Sequence, residues 1–252
     1  MKNGLILALV LSILCGPARA DVSDAQRLHE IRTRGFLLCA NLLVYYNNLD
    51  PAAAFYPAAR EAYRQHLAEL DALSAPLRDR PALSAALREL QSAIARLEKQ
   101  PEDSQIEYSV WLNPVLRAQG DLDRHAAAAY QASGEQQASL ATLHSLSLDI
   151  GRMLLLYESQ AFSRTGIYSF DVHENSFSEL DQRIGASHEN LAQLLPEAGN
   201  ELREVRQNYG FVRQRLKTSE QQVVARSASL YLGKSVATLD RLAGAEARKA
   251  LP

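Results

Sequence analysis

The sequence predicts an all-α protein, an elongated antiparallel helical bundle of five to six helices, two of them long. Three observations carry that prediction. Apolar residues recur at spacings of three and four along nearly the whole chain, which places them on one face of successive α-helices. Runs of alternating polar and apolar residues are missing and β-branched residues are sparse, so nothing reads as a strand. Short segments marked by Pro or Gly separate the stripes, as turns between packed antiparallel helices do.

The first helix carries Leu28, Ile31, Gly35, Leu38, Leu42, Tyr45 and Leu49 on one face, with Phe36, Cys39, Leu43 and Tyr46 on a stripe beside it. Its later half is apolar over most of its circumference and is expected at the centre of the bundle. Ser23 and Gln26 have the spacing of a capping box at its start, and Asp50-Pro51 ends it. A shorter helix from Pro57 presents Ala59, Tyr63, His66, Leu70 and Leu73, and Pro76 closes it. Pro81 suits the first position of the next, whose seam is Leu83, Leu87, Leu90, Ile94 and Leu97.

From Pro114 the pattern reads as one helix to about Phe162, with Gly120 and Ser133-Gly134 as the places where it can break. Asp171 and Glu174 offer a second capping box ahead of Phe177, Leu180, Ile184 and Leu191. A last helix is expected over 197–245, through Leu202, Val205, Tyr209, Val212 and Leu216 to Leu239. At 1.5 Å per residue the two long helices would each reach about 70 Å. Leu28-His29 and Leu143-His144 fall in matching registers, but few other identities accompany them, and no duplication is read from that.

Residues 1–20 read as a signal peptide: Lys2, an apolar stretch from Leu5 to Cys15, then Ala18-Arg19-Ala20 before a cleavage point at Asp21. The expectation is therefore a periplasmic or secreted protein, with residues 21–252 forming a helical-bundle domain, either single or as two stacked bundles. The apolar stretch is shorter than the roughly 20 residues of a spanning helix, and no second such run follows, so no integral membrane segment is expected after cleavage. Losing Lys2 and Arg19 leaves 25 basic against 29 acidic side chains. That balance disfavours nucleic acid or an anionic membrane surface as partner. Cys39 is then the only cysteine; it has no internal partner, and its apolar flanks suggest a buried small hydrophobe.

The signatures of enzymes are missing: no phosphate-cradling Gly loop, G-x-S-x-G elbow, H-E-x-x-H or C-x-x-C. His29, His66, His125, His144, His173 and His188 never fall three or four apart, so no single helix offers a two-histidine metal face, and no cofactor is expected. More informative are charges inside apolar stretches. Arg34 opens the apolar half of the first helix, and Arg152 lies between Ile150-Gly151 and Met153-Leu154-Leu155. A guanidinium near a bundle interior needs a counter-charge. For Arg152, Asp149 or an acid on a neighbouring helix can supply it; otherwise Arg34 or Arg152 faces a pocket and grips a carboxylate-bearing ligand. Tyr45 and Tyr157 complete the candidate binding set by adding polar tips, although core packing would also account for them.

Arg34-Gly35-Phe36-Leu37-Leu38 and Gly151-Arg152-Met153-Leu154-Leu155 resemble the Arg-Met-Leu core of periplasmic helical sensor domains of the type IV pilus chemoreceptor (PilJ) kind. The resemblance spans two short segments and lacks that family's surrounding Gln-Arg repeats. It implies a four-helix bundle that binds a small ligand or a protein partner in a sensory or adaptor role, and it assigns no binding residue. Taken together, the expectation is a non-enzymatic envelope protein binding a partner protein or small ligand. The alternative is a scaffold or chaperone-like protein offering an apolar groove. Small residues along the seams, such as Ser219, Ser227 and Gly233, suit an internal contact or a homodimer equally.

Overall fold

The computed structural model describes residues 17–47, 54–101, 108–134, 136–162, 176–217 and 225–249. Eight α-helices occur among the described residues, and no strand. They are α1 (Pro17–Tyr45), α2 (Pro57–Ser74), α3 (Pro81–Leu97), α4 (Tyr108–Ala132), α5 (Ala138–Gln160), α6 (Ser176–Leu194), α7 (Gly199–Lys217) and α8 (Ala225–Lys249). The all-α class is as the apolar periodicity predicts, with more and shorter helices than expected.

Three boundaries are corrected. The helix expected from Pro114 to Phe162 is two: it begins before Pro114 and breaks at Ser133-Gly134, where Gly134 has φ +93°, a left-handed conformation that a Cβ disfavours. The segment expected as one helix over 197–245 is likewise two, α7 and α8, packed against each other. Among the described residues the longest helix is instead α1, with 29 residues, and no helix there reaches 70 Å. Ser23 lies within the described part of α1 and not at its beginning. Asp50-Pro51 and the capping pair Asp171 and Glu174 lie outside the described residues.

The helices form two four-membered groups. In the first, α1 packs on α2 and α4, α3 packs on α4, and α2 meets α3. In the second, α5 packs on α6 and α8, α7 packs on α8, and α6 meets α7. The element order is the same in both, including a 3₁₀ turn between second and third helices, Ala75–Leu77 in one and Pro196–Ala198 in the other. Leu-Asp-Arg occurs in both α4 and α8, as Leu122-Asp123-Arg124 and Leu239-Asp240-Arg241. The repetition not read from the sequence is therefore a property of the fold.

α1 also packs on α5 and α8, which joins the groups. This position explains its composition. From Phe36 to Tyr45 every residue of α1 except Asn41 is buried, and from Leu146 to Ser159 every residue of α5 except Arg152. Each fully buried leucine contributes about 1.5–3 kcal/mol of transfer free energy, so these two helices carry much of the hydrophobic stabilisation. Cys39 is wholly buried among them, and desolvation pushes its thiol far above the ordinary range.

Candidate functional site

A groove of about 670 Å³ runs between α1, α2 and α8, so it is walled by both four-helix groups. Its volume lies in the range of small-molecule sites. The space exists because the facing positions on α2 and α8 are small: Ala58, Ala59 and Ala62 on one side, Gly233 and Ala237 on the other. A Cβ added to Gly233 would meet nothing within 4 Å. The floor is the α1 stripe Arg34, Leu37, Asn41 and Val44, spaced by three and four residues so that all four face the same way. That stripe makes the trough about 15 Å long. One end is charged and the rest largely apolar, with Tyr56 and Leu230 exposed at the opposite end.

The charged end is a small network. Arg34 donates from Nε to Glu69 Oε2 of α2 at 2.7 Å and from Nη1 to Asp240 Oδ2 of α8 at 3.0 Å. Gln65 Nε2 donates to Glu69 Oε1 at 2.9 Å, and His66 Nδ1 lies 3.2 Å from Oε2. Partial burial would raise the Glu69 carboxyl, but hydrogen bonds from Gln65 and His66 and the charge of Arg34 hold it below its ordinary value. Burial outweighs Glu69 at His66 and lowers its pKa, so the ring is neutral at pH 7. An ionised carboxylate only accepts, which makes Nδ1 the protonated nitrogen of His66 and leaves Nε2 as an acceptor.

Beneath this end lies the polar junction of the two groups. Asp240, almost fully buried, accepts four hydrogen bonds: from His29 Nε2 at 3.0 Å, Thr33 Oγ1 at 3.1 Å, Arg34 and Ser147 Oγ at 2.6 Å. Burial alone would raise its pKa; the His29 hydrogen bond, the charge of Arg34 and the Ser147 hydroxyl bring it below the usual carboxylate range. The His29 ring stacks on that of His144, centroids 4.0 Å apart. His144 Nε2 lies 2.7 Å from Gln26 Oε1, and its Nδ1 lies 2.9 Å from the Tyr130 hydroxyl. The Gln26 amide is oriented by its bond to Glu30, so His144 donates from Nε2 and accepts from Tyr130. Burial, with the neighbouring His29, drives the His144 pKa down to about 2. The ring is neutral at pH 7.

Of the four residues singled out in the sequence, only Arg34 lines the groove. Arg152 is spent on structure: its guanidinium meets Asp123 Oδ2 at 3.3 Å and Asp149 Oδ1 at 3.9 Å and lies over the Phe36 ring at 5.5 Å. That is the ion-pair alternative weighed for it. Tyr45 is buried in an aromatic cluster with Tyr46, Phe55 and Tyr63. Tyr157 is buried on α5. Among the described residues, none of the three reaches the groove, and no group of three His, Cys, Asp or Glu side chains is placed to hold a metal ion.

The groove residues that sequence reasoning missed are His66, Glu69 and Lys234. A signal existed for the first, a histidine on an otherwise apolar helix face. None existed for the others, because charged residues on an exposed helix face are ordinary. No described helix is long and apolar enough to cross a membrane. Comparison with known proteins returns no matching family model, no similar curated protein and no similar solved structure.

Proposed function

We propose that this chain is a non-enzymatic binding protein of the cell envelope that takes a small ligand in the α1–α2–α8 groove, in a sensing or signalling role. The observation that supports the reading is the groove itself, long, mostly apolar and charged at one end. Arg34 gives the groove a route to the rest of the fold, since the same guanidinium reaches α2 in one group and α8 in the other. A ligand that shifts either bond alters how the groups are tied together, which is what a sensory bundle needs. The signal-peptide reading and the PilJ-like segments agree with an envelope location.

The test uses the full-length processed protein and the neutral fluorescent probe N-phenyl-1-naphthylamine. Saturable binding to the wild type is expected, lost in Gly233→Leu while the helical circular dichroism is unchanged. Leucine there fills open space and is a better helix former than glycine. Equal probe binding by Gly233→Leu, or no saturable binding at all, would overturn the groove as the site.

A further inference from the structure

The sequence suggests a ligand carboxylate held by Arg34; the geometry points to the opposite charge. We propose that the groove selects an organic cation, an ammonium group on an apolar body, with Glu69 as its counter-ion. This rests on the groove being the binding site, and it goes further by assigning the ligand's charge.

What decides the sign is which charged group the groove exposes and which hydrogen-bonding atoms are spare. At the charged end Arg34 is shared between two carboxylates, Asp240 and Glu69. Asp240 is buried and also takes the His29 ring at 3.0 Å, so the carboxylate that meets the groove is Glu69, whose side chain is 34% exposed against 18% for Arg34. His66 and Gln65, its other partners, are neutral donors. They hold the carboxylate in place without cancelling it. Lys234, the other cation on the lining, sits at the exposed rim, 2.6 Å from Glu204 of α7.

The spare polar atoms are acceptors as well. With Nδ1 turned to Glu69, His66 keeps a bare Nε2. Asn41 donates its Nδ2 to the Leu37 carbonyl at 2.8 Å, which leaves its Oδ1 as an acceptor on the floor. A ligand carboxylate would meet one guanidinium already paired with two acids, beside a carboxylate it repels. An ammonium would find an ionised carboxylate and neutral acceptors along one trough. Beyond them Leu37, Val44, Ala59 and Leu230 accept a linear or aryl-alkyl body.

Displacement of N-phenyl-1-naphthylamine by three probes of equal length tests this: octylammonium, octanoate and octanol. Octylammonium is expected to displace at a concentration at least about tenfold lower than octanoate, as a charge-assisted hydrogen bond implies, with octanol between them. In Glu69→Gln the advantage of octylammonium over octanol should vanish, and in Glu69→Asp it should return. Octanoate displacing as well as octylammonium, or an advantage that survives Glu69→Gln, would overturn the assignment while leaving the groove as a site. If the fluorescent probe itself fails to bind, the groove reading falls first and the ligand charge with it.

Discussion

In the first four-helix group the cation sits on the first helix and the anion on the second, Arg34 facing Glu69 at 2.7 Å. In the second group the signs are exchanged. Asp149 takes the first-helix position and accepts both ends of the Arg183 guanidinium from α6, at 3.0 and 2.9 Å. Arg34 and Asp149 each lie five residues beyond their stacked histidine, so the positions correspond. The contact between second and third helices is also reversed. In the first group Tyr63 and Arg64 of α2 reach Glu98, just past α3. In the second, Tyr209 and Arg213 of α7 reach back to Asp181 of α6. What the packing demands at these registers is a complementary pair; which helix holds which sign makes little energetic difference. The two groups therefore match in pairing and topology while their residues differ.

The sharpest way to break this comparison is at the equivalent aspartates. Asp123 is partly exposed at 15% and serves Arg32 and Arg152, whereas Asp240 is 4% exposed with four donors. Asp240→Ala leaves the buried His29 and Ser147 without their common acceptor and Arg34 with Glu69 alone, and should cost about 3–5 kcal/mol. Asp123→Ala should cost about 1–2 kcal/mol, because water can reach the two arginines it leaves. Chemical denaturation of both variants measures this, and equal losses would mean that the two sites are not differently loaded.

A second, smaller effect is the dependence on pH, to which the first group contributes through His66, its pKa also lowered by burial, and the second through three residues. His144 and His188 have pKa values depressed to about 2 and about 4, the first by burial and His29, the second by burial and Arg206. Groups that charge less readily when folded stabilise the fold above their unfolded pKa of 6.5. That contribution is lost as pH falls below it, at about 1.4 kcal/mol per pH unit for each proton. Glu158 is the opposite case: burial raises its pKa well above 4.5 against a weak Ser229 hydrogen bond, so its contribution is full at low pH and erodes as pH rises. Two histidines outweigh one glutamate between pH 4.5 and 6.5, and only the glutamate acts just above, which puts the stability maximum near pH 6.5. All three residues are on α5 and α6. His144→Gln should flatten the acid limb, and a limb of unchanged slope would remove His144 from the account.

The smallest effect sharpens the sign exchange itself. Double-mutant cycles on Arg34–Glu69 and on Asp149–Arg183, each partner cut to Ala, should return similar coupling of about 0.5–1 kcal/mol, since one member of each pair is substantially exposed. A coupling in only one of the two would show that the correspondence is geometric and not energetic.

Much of the helical layout was legible in the sequence. The two stripes on α1 predicted its central place, and Ser133-Gly134 was marked as a place to break. Length was not legible, because apolar spacing continues across a turn when the helices on either side bury faces in the same core. The matching Leu-His dipeptides at 28–29 and 143–144 were visible, but with charges inverted around them identity could not reveal a repeat. At the site, Arg34 stood out as a cation at the edge of an apolar run. Its surroundings did not, because the third wall of the groove, with Gly233, comes from the far end of the chain.

That wall has a consequence for how the molecule is completed. His29, Thr33 and Arg34 belong to the first of the described helices to be made, yet their common partner Asp240 lies more than 200 positions downstream. At ribosomal speeds of about 5–20 residues per second, the earliest segment waits on the order of 10–40 s for its counter-charge to be synthesised. The final helix is thus a keystone, and a chain shortened before it would present an unfinished, sticky face for chaperones or proteases to find.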